Sequence, residues 1–404
     1  MKDSHLKKIS DHLTDIPDGW SVRPLSKVVR IANGQVDPKK PEYRVLPHVG
    51  PENIESGTGR ILNVQPTETL GLTSGKYLFD NNALVYSKIR PNLNKVCQPG
   101  FDGLCSADAY PMWAIAGLST TYLCYYMLSE LFVRQAVACS MRTGMPKINR
   151  EDLNSLWVIC PPEKDQKVIC EILKGWDHSI DLTENLITTK EERRKWLIQQ
   201  LLAGKKRLPG FNDTWNLIHL RDHLREVSIR NKGTFSRVLS VTNDRGFVLP
   251  EEQFSRTVAS SDLSNYKIVK RGQFAYNPSR INVGSWAMLD NFDEGVISPM
   301  YVVFKTNKEL SSHFLAYWMR SGDGQQRINL QAQGSVRDTV SFDALSSIKV
   351  ALPSLEEQAA IVHVLKTADR ELDLLRNQLD ALKEQKKGLM QQLLTGKRLV
   401  KFDN

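Results

Sequence analysis

The side chains best equipped for chemistry stand in two related polar stretches, NALVYSKIRPNLN (residues 82–94) and GQFAYNPSRINVG (residues 272–284). Tyr86 matches Tyr276 and Arg90 matches Arg280 in one register. Neither stretch carries bond-making equipment. Asn277-Pro278-Ser279-Arg280 is partly similar to the Asn-Pro-Pro-aromatic motif of amino-methyltransferases, but it lacks the second proline and the stacking aromatic. Glu384-x-Lys386 is half of a nuclease motif, yet it lies in a helical repeat where Glu and Lys are ordinary residues. No glycine-rich loop stands between a strand pattern and a helix pattern to hold a nucleotide, and no Gly-x-Ser-x-Gly elbow occurs. Cys97, Cys105, Cys124, Cys139, Cys160 and Cys170 form no Cys-x-x-Cys pair. Buried free thiols are expected rather than a zinc site. A chain with these groups and no catalytic centre reads as a recognition subunit whose chemistry comes from a partner.

The elements that position these groups occur twice. Residues 161–206 and 353–398 align without a gap, Gln166 on Gln358, and about 18 of their 46 positions are identical. They include Pro161/Pro353, Asp177/Asp369, Glu192/Glu384, Leu201/Leu393 and Gly204/Gly396. An offset of this size is that of a whole domain, so the chain reads as two tandem copies of one module.

Each copy has the spacing of a long helix. Ile169, Leu173, Trp176, Ile180, Thr183, Ile187, Lys190, Arg194, Leu197 and Leu201 alternate steps of four and three. So do Ile361, Leu365, Ala368, Leu372, Leu375, Leu379, Leu382, Lys386, Leu389 and Leu393. This is a coiled-coil seam about 50 Å long at 1.5 Å per residue. Ser354 with Glu357 has the capping-box pattern, and Gly204 and Gly396 stand where a C-terminal glycine cap belongs, each followed by basic residues. One such helix cannot bury its seam alone, so the two copies are expected to pair. The pair is antiparallel if a two-fold axis perpendicular to the helices relates the modules.

The blocks between the helices are related more weakly. Trp20 and Trp215 open them; TTYLCYYMLSEL and SSHFLAYWMRSG read as helices with N-capping Ser or Thr. Polar loops follow at 141–149 and 331–340, and alternating strands LWVIC and IKVAL close each block. The expected segmentation is 1–160, first block; 161–206, first long helix; 207–352, second block; 353–404, second long helix and tail. Net charge is +9, which permits a polyanionic partner without proving one. No apolar run approaches a membrane span, and MKDSHLKKISDH has no apolar signal region, so a cytoplasmic protein is expected.

The paired helices ending QQLLAGKK and QQLLTGKR, the helix starts Pro161/Gln166 and Pro353/Gln358, and the openings at Trp20 and Trp215 resemble the specificity subunit of type I restriction–modification systems. The resemblance covers essentially the whole chain. It implies an α+β fold with two tandem target recognition domains, each followed by a long helix, the helices pairing as an antiparallel coiled coil with pseudo-two-fold symmetry. It implies that each block reads one half of a split, asymmetric double-stranded DNA target. The coiled coil would set the gap and dock two methyltransferase subunits, which carry the S-adenosylmethionine site; restriction/translocase subunits can join. Base reading needs Arg, Lys, Asn, Gln and Ser on loops or strand ends. Lys88, Arg90, Asn92, Asn94 and Lys95 supply these in the first block, and Asn277, Ser279, Arg280 and Asn282 in the second. Arg142, Thr143 and Lys147, with Gln331, Gln333, Ser335 and Arg337, are the second set. The competing readings are a structural coiled-coil adaptor whose blocks bind protein, and an enzyme with a cryptic site.

Overall fold

The computed structural model describes residues 16–140, 146–243, 245–252, 262–332 and 339–399. The chain forms two compact units: the residues up to Glu184 together with those from Asn377 onward, and Asn185–Arg376. Each unit thus takes one globular block, part of one long helix and part of the other.

The long helices are Glu163–Leu201 and Leu355–Leu393, 39 residues each, or about 58 Å at 1.5 Å per residue. Their ends follow local chemistry. Ser354 accepts a bond from the Glu357 amide at 3.3 Å. The capping box expected there is only half made, because the Glu357 carboxylate turns instead to Arg207 and Trp215. At the far ends, Gly204 and Gly396 take φ of 64° and 73°. This lets Lys206 N–H reach the Gln200 carbonyl and Arg398 N–H reach that of Gln392, a six-residue closure suited to glycine.

Within the first unit the helix segments run antiparallel: Asp177 meets Lys386, and Glu184 meets Lys383. Within the second, Lys190 meets Glu371, Arg194 meets Asp369, and Glu191 meets Arg376. Seam residues Ile169, Leu173, Ile180, Leu201, Ile361, Leu365, Leu372 and Leu393 are buried. Trp176, Ile187, Leu197, Leu375, Leu379, Leu382 and Leu389 are half-buried. The ends of the seam serve a second purpose, since they enter the block cores. Ile169, Leu173, Met390 and Leu393 pack into one cluster with Tyr122, Leu123 and Phe132. Leu201, Ile361 and Leu365 pack with Phe314, Leu315 and Trp318. At about 1.5–3 kcal/mol for each fully buried large apolar side chain, these anchors join each block to both helices of its unit.

The blocks share a framework. Each contains an antiparallel four-stranded sheet. In the first unit its order is Val29–Ile31, Ala109–Ala114, Leu84–Ser87, Val96–Cys97; in the second, Leu224–Glu226, Val302–Thr306, Phe274–Tyr276, Trp286–Met288. Tyr86 lies opposite Tyr110, and Tyr276 opposite Val302. Helices Thr120–Leu128 and Ser312–Arg320 cover these cores, capped by Ser119 and Ser311. The closing strands Trp157–Cys160 and Lys349–Leu352 pair with Ser21–Pro24 and Asn216–His219. The first block adds a further four-stranded sheet with one parallel pairing, Pro47–Val49 against Gly103–Cys105. Among the described residues no helix is long and apolar enough to cross a membrane.

Candidate nucleic-acid interface

The polar stretches emerge where a strand stops. In the first unit Leu84–Ser87 ends, the chain turns through Arg90 at φ 48°, forms a short 3-10 turn Pro91–Leu93, and leaves through Asn94 at φ 46°. In the second, Phe274–Tyr276 leads to the turn Ile281–Val283, closed by Gly284 at φ 90°. Asn94 therefore occupies the left-handed position that glycine fills in the other copy, a conformation asparagine tolerates. Its Nδ2 donates to the Leu128 carbonyl at 2.9 Å. Lys95 Nζ likewise donates inward, to the Pro51 carbonyl at 2.6 Å. Arg90 and Asn92 are exposed; Lys88 is half-buried.

The polar stretch and the following loop come together in both units. Arg90 N–H bonds to the Pro146 carbonyl and Ile148 N–H to that of Lys88, while Ile89 bridges Lys147. In the second unit Val340 N–H bonds to the Pro278 carbonyl. Ser279 and Arg280 are exposed, and Asn282 and Gln331 half-buried. Asn277 holds the turn by accepting from the Ser279 amide at 3.1 Å. Arg142, Thr143, Gln333, Ser335 and Arg337 lie outside the described residues.

Beside this edge in the first unit, Lys88 and Lys147, both singled out in the sequence, are joined by two residues that were not, Tyr110 and Arg150. Lys88 Nζ stands 5.0 Å and the Arg150 guanidinium 5.3 Å from the centre of the Tyr110 ring. Burial lowers the Lys88 pKa, and the neighbouring Lys147 and Arg150 charges push it the same way; Asp108 opposes them.

A joint that sequence reasoning also missed ties each block to its helices. Tyr125 donates to Asp177 at 2.7 Å, and Asp177 pairs with Lys386 of the second long helix. Tyr317 donates to Asp369 at 2.5 Å, and Asp369 pairs with Arg194 of the first. Hydrogen bonding to the carboxylate and burial hold both phenols protonated, well above the usual tyrosine range, burial being the larger cause. The helix starts repeat too. Gln166 accepts from Ser119 N–H and donates to the Gly117 and Pro161 carbonyls. Gln358 does the same with Ser311, Glu309 and Pro353. The opening tryptophans donate to carboxylates there, Trp20 to Asp165 at 2.8 Å and Trp215 to Glu357 at 2.9 Å. Their other flanks press on the opposite helix ends. A Cβ on Gly204 would lie 3.3 Å from Trp215, and one on Gly396 would collide with Pro17 and touch Trp20. Matched polar residues at the common offset were the signal available for these contacts.

The architecture defines a class: two α+β blocks, each mounted on antiparallel segments of two long helices and presenting a polar edge. Residues 17–191 and 257–384 match the family described as type I restriction modification DNA specificity domain, and the chain belongs to that family. It is 35% identical over 191 residues to the type I restriction enzyme EcoDI specificity subunit of Escherichia coli. That match spans 47% of this chain and only 42% of the relative's length. The MjaVIII specificity subunit of Methanocaldococcus jannaschii is 22% identical over 99% of this chain and 97% of its own. The fold is similar to that of the HsdS subunit from Thermoanaerobacter tengcongensis, with a TM-score of 0.56 and 17% identity over 95% of this chain and 98% of that one.

Proposed function

We propose that this chain is the DNA-reading, non-catalytic subunit of a cytoplasmic type I restriction–modification complex. Each block, 1–160 and 207–352, reads one half of a split double-stranded target. Segment 161–206, the first long helix, and segment 353–404, the second long helix and tail, set the gap and present two docking sites for methyltransferase subunits. Those partners supply S-adenosylmethionine chemistry, and restriction/translocase subunits join the same assembly. The observation that carries this reading is the pair of exposed arginines, Arg90 and Arg280, at matched strand ends in the two copies. An exposed guanidinium fork is suited to the major-groove edge of guanine.

The test is a methylome of cells expressing the chain with its methyltransferase partner. Arg90→Ala is expected to relax one half of the methylated sequence and Arg280→Ala the other, each by about 1–3 kcal/mol of discrimination. Equal weakening on every sequence would instead make these arginines phosphate contacts.

A further inference from the structure

We infer that Lys88 and Arg150, which flank the Tyr110 ring, form with Lys147, bridged to the neighbouring Ile89, a backbone-phosphate anchor that belongs to the first block alone. This rests on the DNA-reading proposal above and assigns a ligand class to residues beside its recognition edge. Three cations converge here. Lys147 is exposed, and Lys88 and Arg150 are half-buried. Asp108 is the carboxylate acting on Lys88. None of the three forms a carboxylate ion pair among the described residues. Like charges held together at a partly desolvated site are mutually destabilising, and an anion placed among them relieves the repulsion.

The donor geometry favours phosphate over a base edge. Arg150 already donates to the Ile31 and Ala32 carbonyls, at 3.3 and 2.6 Å. Its fork is therefore partly occupied, and it contributes charge rather than a bidentate reading pair. Lysine ammonium groups act as point charges with no planar preference. Tyr110 supplies a ring face that fixes both cations.

The second block lacks this feature at every equivalent position. Opposite Tyr276 stands Val302 where the first block has Tyr110. Pro278 replaces Lys88, Thr339 replaces Lys147, and Phe342 replaces Arg150. Phe342 packs on Phe304, ring centres 6.0 Å apart. The same framework site is thus cationic in one copy and largely apolar in the other.

The experiment is a salt titration of binding by the full-length chain in its methyltransferase complex, on a duplex bearing the methylated target. Lys147→Ala and Lys88→Met each remove one phosphate contact. The slope of log K against log salt should then flatten by about 0.9 per variant, so that raising salt from 50 to 200 mM costs about 3.5-fold less affinity than in the parent. The loss should be equal on target and scrambled duplexes, and Thr339→Ala should leave the slope unchanged. An unaltered slope in both lysine variants, with parental melting behaviour, overturns the anchor. So does a change confined to one base position, which would make the lysines base readers. If the parent complex binds no DNA, the functional reading itself falls, and the anchor with it.

Discussion

Two regions occur in both copies of the module, and one is closely matched while the other is not. At the joint, Tyr125–Asp177–Lys386 in one unit and Tyr317–Asp369–Arg194 in the other make the same three-part contact. At the polar edge, Tyr110 with Lys88 and Arg150 in the first unit corresponds to Val302, Pro278 and Phe342 in the second. The joint holds a block on its helices, and its geometry admits few solutions: a phenol, a carboxylate and a cation of the opposite helix. The charged groups of the edge lie outside the core, so its chemistry varies without disturbing the packing, as the proposed DNA-reading role requires. Mounting and reading are separable within one fold.

The largest test of that comparison removes the joint. Asp177→Ala leaves Lys386, 9% exposed, without its carboxylate, and strips Tyr125 of its acceptor. A loss of about 2–4 kcal/mol in unfolding free energy is expected. Asp369→Ala should cost less: the two carboxylates are equally exposed, but the cation left behind, Arg194, is about one-third exposed where Lys386 is nearly buried, so water can replace its partner. Chemical denaturation of both variants checks this; a larger cost for Asp369→Ala would show that burial does not govern the joint.

A smaller test concerns the turn. If Asn94 shapes the edge rather than reading DNA, Asn94→Gly should cost about 0.5–1.5 kcal/mol, because it suits the left-handed turn as Gly284 does but loses the Leu128 bond. Asn94→Ala loses the same bond and adds left-handed strain, so it should cost about 1–2 kcal/mol more than the Gly variant. Both should keep the parent's methylated sequence. A changed half-site in a stably folded Asn94→Gly variant would place this side chain on the DNA.

The smallest concerns pH and the first unit only. His48 is 4% exposed, and its ring nitrogens have no hydrogen-bond partner among the described residues. Burial lowers its pKa, Lys76 adds to the effect, and Glu52 opposes it. The unfolded chain thus binds the proton more readily than the folded one. The stability this contributes is fully present above the unfolded value of about 6.5 and is lost as pH falls through the folded value. His48→Phe should flatten stability against pH in that window; an unchanged profile would exclude His48 as its source.

Much of this was legible in one dimension. A four-three alternation needs no tertiary knowledge, so residues such as Leu173, Leu365 and Leu393 stand out directly. The exposed Arg90 and Arg280 were found by comparing the copies. The joint was not found, because Tyr125 and Asp177 are 52 residues apart and Asp177 and Lys386 are 209 apart. No periodicity links them; only their common offset could have done so. Asn94 and Lys95 look like surface donors in sequence, and only the fold shows the carbonyls of Leu128 and Pro51 within their reach. Arg150, which opens the short helix Arg150–Asn154, escaped notice because its partner ring, Tyr110, lies in the strand Ala109–Ala114, far off in sequence.

The discontinuous first unit bears on how the protein is made. Its core includes Met390, Leu393 and Leu394 beside Tyr122 and Phe132, and its joint needs Lys386. Those residues are the last of the set to leave the ribosome. The second unit needs nothing beyond Arg376. Domains usually mature in the order of synthesis. Here the order of completion inverts: the apolar surroundings of Leu173 are filled only once Met390, Leu393 and Leu394 have been made, by when every residue of the second unit is already present.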